Sequence, residues 1–481
     1  MCSLFKLKYN IKNLILSDID MSKITDKINL VIGLGRSGYW VAKFLNSKRK
    51  RVIVLEEKIN DQLAIYKRDL ENIGVTVFLG FPFEFEKISQ WENNINHVIL
   101  SPAIDMENQT VLKLKNAGIK VIGEANIGWN YLKEINWVGI TGTNGKTTVT
   151  HLLSHILSQN KLKAPFAGNI GIPFCKYAYD YNLNKNIDWI IAELSSYQIE
   201  IASEIKPKIG IWTTFTPDHL DRHKTLENYF KIKNHLLKSS EIRIYNYDDD
   251  YLKSFYKKLA KGTWVSLDYK NKNIKNCDFW LDEKGYIVEK GIILFHSNSL
   301  KLKGKHNILN LLLVTAAARK IGITGKNIRN SLKTYKQLPH RLETIYSSKN
   351  LEVINDSKAT NFDSSFSGIS SLDKGQIIII GGRIKKGNSK LWSDIILEKC
   401  KGVFLYGESS KELKSILLKA GFMEDIFIHN ELNDLIPKAI NYLKKRKLKI
   451  LLFSPACSSF DQFKDYEERG NYFKLLIKKY L

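Results

Sequence analysis

Trp137-Val138-Gly139-Ile140-Thr141-Gly142-Thr143-Asn144-Gly145-Lys146-Thr147-Thr148 passes from an apolar run through a glycine turn into a helical pattern. Trp137–Ile140 is predicted as a strand and Thr147–Ser158 as a helix. Strand, turn and helix in this order are the unit of an α/β parallel sheet covered by helices. The glycines let the backbone curl so that its N–H groups face a phosphate, and the helix N-terminus adds a positive dipole end. Lys146 is then placed for β- and γ-phosphates and the Thr147 hydroxyl for magnesium. The strict G-x-x-x-x-G-K-[ST] spacing fails at one position, because its first glycine falls on Ile140. The flanking strand and helix outweigh that miss. ATP with Mg2+ is therefore expected on Gly142, Thr143, Asn144, Gly145, Lys146, Thr147 and Thr148.

Outward from this turn the chain falls into three textures. Residues 1–124 alternate helical stretches with short apolar strands, among them Asn29–Ile32, Arg51–Leu55 and His97–Leu100. Residues 125–337 hold the glycine turn, strands Trp189–Ala192 and Ile209–Trp212, a strand-rich insert over 240–303, and a helical run after His306. Residues 338–481 return to strand and helix alternation at Gln376–Ile380, Gly402–Tyr406 and Lys449–Phe453. Residues 1–20 read as an extension or a misplaced start, since Met21 leads straight to the first strand, and not as a signal peptide.

Bulk properties agree with a multidomain globular chain. A length of 481 residues exceeds what one core supports. No run approaches the roughly 18 apolar residues of a membrane span. The five cysteines, Cys2, Cys175, Cys277, Cys400 and Cys457, form no C-x-x-C pair, so neither a zinc site nor a disulfide framework is indicated and a reducing cytoplasm fits. The net charge of +25 comes from lysines spread along the chain, without a zinc-finger or RNP pattern. Nucleic acid is set aside as a partner; small polyanionic substrates suit the charge as well. The chain is expected to act as a monomer.

A second glycine cluster, Gly33-Leu34-Gly35-Arg36-Ser37-Gly38, follows the first strand and opens a helix, with Glu56 or Glu57 closing the next strand. By itself it favours NAD and an oxidoreductase, although the same geometry takes any pyrophosphate with a ribose. A phosphate loop in the following domain reverses that preference, because hydride transfer has no use for ATP. Glu193 and His219 both follow strand ends, where ligands bind in open α/β sheets, and each could ligate a hard cation. Composition alone makes Lys233 a surface lysine. Cys457 could be a nucleophile, but with no histidine nearby in sequence a structural thiol is the stronger reading.

Together, Gly142–Thr148, Glu193-Leu194-Ser195-Ser196, Asp218-His219-Leu220-Asp221-Arg222-His223, Asn355-Asp356-Ser357-Lys358-Ala359-Thr360-Asn361 and Ser454-Pro455-Ala456-Cys457 closely resemble the Mur ligases of peptidoglycan synthesis, over about Asn29 to Tyr472. The last two stretches point to the D-glutamate-adding member; the D-N-P-R motif of the diaminopimelate-adding member is absent. The resemblance implies an N-terminal Rossmann-like UDP-binding domain, a central P-loop ATPase domain with a parallel sheet, and a C-terminal Rossmann-like domain. UDP-N-acetylmuramoyl-L-alanine would lie on Gly33–Gly38, with Glu56 or Glu57 near the uridine and Asn169 helping to hold it. Lys233 matches a carbamylated lysine that, with Thr147, Glu193 and His219, would complete a two-magnesium site. Asn307, Asn310, Arg341 and Asp356 match ATP contacts, and Lys358 an active-site lysine. Thr360, Lys385, Ser459 and Tyr466 match D-glutamate contacts.

The implied reaction activates a carboxylate as an acyl phosphate, which the amine of D-glutamate then attacks. Ala103 stands where the family commonly has glycine, Thr214 where asparagine is frequent, and Tyr466 where phenylalanine is frequent. Another Mur ligase, a folylpolyglutamate synthase-like amide ligase, and an NAD-dependent oxidoreductase are the competing expectations.

Overall fold

A computed structural model of the chain describes residues 27–481 apart from 182–185, 274–276, 303, 386 and 388. The expectation of an extension over residues 1–20 lies outside the described residues. Two compact units are formed. The first takes the chain up to Gly128 together with the segment from Pro173 through helix Phe174–Tyr181; the second takes Trp129–Ile172 and the rest of the chain to Leu481.

In the first unit, β1 (Ile28–Ile32), β2 (Arg51–Glu56), β3 (Thr76–Leu79), β4 (Ile95–Leu100) and β5 (Lys120–Gly123) form a parallel sheet in the order β3-β2-β1-β4-β5. Every residue of β1 is buried, as expected of a strand with neighbours on both edges and helices on both faces. Strand order reverses between β1 and β4, the position where such sheets open a ligand crevice. Helix Phe174–Tyr181, which the sequence reading counted in the central segment, packs here: the Cys175 N–H donates to the Glu124 carboxylate at 2.7 Å, and Lys176 sits 4.8 Å from the Trp40 ring.

The second unit holds two sheets. β6 (Asn136–Thr141), β7 (Phe166–Gly168), β8 (Trp189–Glu193), β9 (Ile209–Trp212), β10 (Ile242–Asn246), β11 (Thr263–Ser266), β12 (Cys277–Leu281), β13 (Tyr286–Glu289) and β14 (Ile292–His296) join in the order β14-β13-β12-β11-β10-β9-β6-β8-β7. The strand-rich stretch over 240–303 is thus no separate module: β10, β11 and β12 continue the parallel sheet, and β13 and β14 end it as an antiparallel edge. Helices Lys146–Gln159 and Lys305–Ile321 share one apolar core on this sheet.

The second sheet of this unit comprises β15 (Glu343–Ser347), β16 (Glu352–Asn355), β17 (Gln376–Gly381), β18 (Cys400–Tyr406), β19 (Ile426–His429) and β20 (Ile450–Phe453), in the order β15-β16-β20-β17-β18-β19. Only β15 runs antiparallel. Ile378 and Ile380 enter one core and Ile377 and Ile379 another, so the two-residue period of a strand buried on both faces accounts for four consecutive isoleucines. Among the described residues, no helix is long and apolar enough to cross a membrane.

Candidate active site

The glycine turn sits at the end of β6, between β8 and β9, where the strand order of the large sheet reverses. Ile140 is still inside that strand, paired with Glu193 and Ile211 and fully buried, so the turn begins two residues later than the strict pattern assumes. Gly142 has φ +148° and a Cβ there would lie 2.0 Å from Thr213 Oγ1; Gly145 has φ +83° and would place one 2.7 Å from Asn310 Oδ1. Both glycines are therefore sterically required. The segment after β9 holds the turn in shape. Thr143 N–H donates to Thr214 O at 2.8 Å and Asn144 N–H to Thr214 Oγ1 at 2.9 Å. Thr214, the residue expected to be a departure, is thus the turn's own support. The Lys146 ammonium donates to Gly142 O and Thr143 O, both at 2.8 Å, and burial lowers its pKa.

This turn opens on a cavity of about 360 Å³. The cavity gathers Thr143–Thr148, Asn169, Glu193, His219, Lys233, Asn307, Asn310, Arg341, Asp356, Lys358, Thr360 and Lys385 from stretches far apart in sequence. Gly142, Ser459 and Tyr466 do not line it. Ser459 is buried, and the Tyr466 ring lies beneath Lys358, whose ammonium is 3.9 Å from the ring centre.

Lys233 is 1% exposed, not the surface lysine that composition suggests. It sits on helix Leu226–Ser239, and its ammonium donates to Gly142 O at 2.9 Å and Thr141 Oγ1 at 3.3 Å. Burial pushes its pKa well below the ordinary lysine value, and Lys146 nearby adds to the effect. Glu193 is also 1% exposed. Its Oε1 accepts from the Asn169 amide at 2.8 Å, while its Oε2 is buried without a hydrogen-bond partner. An orphaned carboxylate oxygen of this kind fits a cation, for an unpaired buried charge is otherwise costly. Among the described residues no three His, Cys, Asp or Glu side chains are grouped so as to hold a metal ion. His219 takes a left-handed backbone (φ 56°). Its Nδ1 lies 2.9 Å from the Tyr197 hydroxyl. Burial brings its pKa down to about 4 despite neighbouring Asp218, leaving a neutral imidazole able to ligate. Asp218 would be raised by burial, but His219, Lys385 and Lys146 hold it below the usual carboxylate value.

The remaining side chains come from the smaller sheet. Asp356 is raised to about 7 by burial; it accepts from Ser454 Oγ at 2.8 Å and from the Leu342 N–H at 3.2 Å. Lys358 is lowered to about 7 by burial, with Arg341 adding repulsion. The Arg341 NH2 is buried without a hydrogen-bond partner. Three hydrogen bonds tie the two sheets' loops at this cavity: Thr216 Oγ1 to Asp363 at 2.8 Å, Ser364 Oγ to Asn144 Oδ1 at 3.3 Å, and Asn361 Nδ2 to Asp218 at 3.4 Å. Cys457 is buried and free, with its thiol pushed up to about 12 by burial, as a structural thiol should be.

Sequence reasoning missed Asp218, Tyr197, Tyr335 and His306 in the cavity wall. Asp218 was legible as the neighbour of His219; Tyr335 stands in no motif.

In the first unit, Gly33, Gly35, Arg36, Ser37 and Gly38 line a smaller cavity of about 150 Å³ together with Ser101, Pro102 and Glu124. A Cβ at Gly38 would lie 1.9 Å from Gly33 O. Glu56 does not line this cavity; its carboxylate accepts from the Leu34 N–H at 2.7 Å and the Lys58 N–H at 2.9 Å, and so braces the turn. The carboxyl that faces the cavity is Glu124, raised to about 7 by burial. Leu34 is buried behind the turn, and Asn169 belongs to the cavity of the second unit.

Known proteins fit this geometry. The Mur ligase middle domain matches residues 140–318, and the N-terminal domain of the MurD-like group matches residues 27–123. A relative from Prochlorococcus marinus (strain MIT 9515), named UDP-N-acetylmuramoylalanine--D-glutamate ligase, is 57% identical over 95% of this chain and 96% of its own. The chain belongs to the Mur ligase family. A relative of the same name from Synechococcus sp. (strain CC9605) is 39% identical over 94% of this chain and 98% of its own. Among solved structures, the UDP-N-acetylmuramate-alanine ligase of Thermotoga maritima shares the Mur ligase fold at 17% identity and a TM-score of 0.58, over 94% of this chain and 99% of that one.

Proposed function

We propose that this Mur ligase joins D-glutamate to UDP-N-acetylmuramoyl-L-alanine at the expense of ATP, in the cytoplasmic synthesis of peptidoglycan precursor. The observation that carries the reading is the near-full-length identity of 57% to a relative named for that reaction. The cavity supports it, because one space holds both the phosphate loop and the cationic side chains Arg341, Lys358 and Lys385.

ATP lies with its terminal phosphates on the Thr143–Thr148 turn. There the free N–H groups and Lys146 balance charge on the transferring phosphoryl group. An oxygen of the alanyl carboxylate attacks the γ-phosphorus and ADP leaves, giving an acyl phosphate. The amine of D-glutamate attacks the acyl carbon, the tetrahedral intermediate collapses, and phosphate departs as the amide forms. Lys358, Lys385 and Thr360 are assigned to this second step and Arg341 and Asp356 to the nucleotide; all five line the cavity. UDP is held by the Gly33–Gly38 turn of the first unit, with Glu56 fixing the turn's shape.

Thr147, Glu193, His219 and Lys233 would hold Mg2+, which when bound supplies positive charge that the phosphoryl group needs. Lys233 serves as a ligand only after its neutral amine has added carbon dioxide and lost a proton, so that an anionic carbamate oxygen replaces the ammonium. Its depressed pKa favours that amine.

Purified protein given ATP, UDP-N-acetylmuramoyl-L-alanine and a panel of amino acids is expected to release phosphate with D-glutamate. Turnover with L-alanine, diaminopimelate or L-glutamate in its place overturns the assignment.

A further inference from the structure

Arg469 is fully buried, on helix Tyr466–Tyr480, and outside the cavity. Its guanidinium donates to four acceptors on three separate segments, two loops and the end of β17. Nε reaches Ser357 Oγ at 3.0 Å and NH2 reaches Ser357 O at 2.7 Å. NH1 reaches Cys457 O at 2.9 Å and Gly381 O at 3.5 Å. Every one of these acceptors is neutral, and among the described residues no carboxylate is hydrogen-bonded to it, although its charge acts to lower the nearby buried Asp356 carboxyl.

A buried cation whose hydrogen bonds all go to neutral groups is costly, and a core built for stability alone would use an apolar side chain there. The three segments show what the expense secures. Ser357 directly precedes Lys358 and stands three residues before Thr360; Gly381 leads to Lys385; Cys457 stands two residues before Ser459. Each segment therefore carries or leads to at least one side chain matched to the second substrate. Two of the three, those of Gly381 and Cys457, are also bound to one another at their backbones, through Arg383 and Ser458 at 2.9 and 3.0 Å. Only a planar fork with donors on three nitrogens can reach all three at once.

We infer that Arg469 is a positioning residue of the amino-acid subsite: it fixes the relative placement of the Lys358, Lys385 and Ser459 loops. The inference rests on the ligase reading for the identity of that amino acid, but not for the loop geometry.

The test is a steady-state comparison of wild type, Arg469→Met and Arg469→Lys, with KM measured separately for ATP, UDP-N-acetylmuramoyl-L-alanine and D-glutamate. Acyl phosphate formed without D-glutamate is trapped as the hydroxamate. Arg469→Met is expected to raise the D-glutamate KM by about tenfold to a hundredfold, the range for losing hydrogen bonds to a charged group. The other two KM values should stay within about twofold, since those ligands do not depend on these loops' mutual placement. Hydroxamate yield should persist, and Arg469→Lys should recover part of the loss. A folded Arg469→Met protein with unchanged D-glutamate KM, or with all three KM values raised alike, overturns the inference. Should Arg469→Met fail to fold, Ser357→Ala removes the Nε acceptor and keeps the charge; an unaltered D-glutamate KM in that variant overturns the inference equally. If wild type consumes another amino acid, the D-glutamate reading fails by itself, and Arg469 is judged on the KM of the amino acid used.

Discussion

The two glycine turns of this chain are close in pattern and differ in chemistry. Each follows the strand flanking the reversal of strand order in its sheet, and each opens a helix, Arg36–Ser47 in one unit and Lys146–Gln159 in the other. The first is braced from behind by a carboxylate, Glu56, and faces a cavity of about 150 Å³. The second is braced by two threonines, and its cavity of about 360 Å³ adds Lys146, Lys233, Arg341, Lys358 and Lys385 to the backbone N–H groups. Glycine spacing thus makes a phosphate-sized seat. In the proposed function, what surrounds the seat decides whether the phosphate is merely held or transferred.

The largest effect that separates the two turns should come from Lys146→Ala. Loss of this charge at the transferring phosphoryl is expected to lower phosphate release by about a hundredfold to a thousandfold. Calorimetric affinity for the UDP-sugar should stay within about twofold, because the first unit's turn contains no counterpart. A parallel fall in UDP-sugar affinity would break the comparison. Lys233→Ala should also abolish most turnover, for want of a magnesium ligand, and small carboxylic acids should restore part of it. Full activity in the untreated variant would remove that role.

A smaller and more symmetrical test exchanges the essential glycines. Gly145→Ala puts a methyl group against Asn310 at a positive φ and should raise the ATP KM. Gly38→Ala drives one into Gly33 O and should weaken UDP-sugar binding alone. About tenfold is expected in each case, from a strain of roughly 1–3 kcal/mol. Crossed effects, each variant disturbing the other ligand, would show that the turns do not act separately.

Much of this contrast was legible in the sequence, and for a local reason. A buried parallel strand is a continuous apolar run and a phosphate turn is a short contiguous motif, so β1, β6 and the helix from Lys146 were readable from neighbours in the chain. What escaped depends on contacts far apart in sequence. Lys233 looks like any helix lysine until the helix is packed beneath Gly142, 91 residues away. Arg469 lies 112 residues from the Ser357 that it holds. Glu56 closes the second strand as expected, and its bond from the Leu34 N–H, a brace for the turn, was not legible from the spacing. Helix Phe174–Tyr181 joins the first unit through the Cys175–Glu124 bond, a pairing that composition cannot reveal.

Glu124 offers the finest distinction between the seats. Its carboxyl faces the Gly33–Gly38 cavity and is raised from 4.5 to about 7, chiefly by burial, although the Cys175 N–H works in the opposite direction. Between those two values the folded protein keeps a proton that the unfolded chain has released. Stability from this group is therefore present below about pH 4.5 and is lost as the pH rises to about 7. The same ionisation places a negative charge in the cavity proposed for the UDP diphosphate. UDP-sugar affinity should accordingly fall a few-fold, about two- to fivefold, between pH 6 and pH 8, and Glu124→Gln should flatten that slope. The nucleotide seat of the second unit lacks this group, so ATP affinity measured on the Glu124→Gln protein should follow the wild-type pH profile. A UDP-sugar slope that survives the substitution would place the titrating group elsewhere.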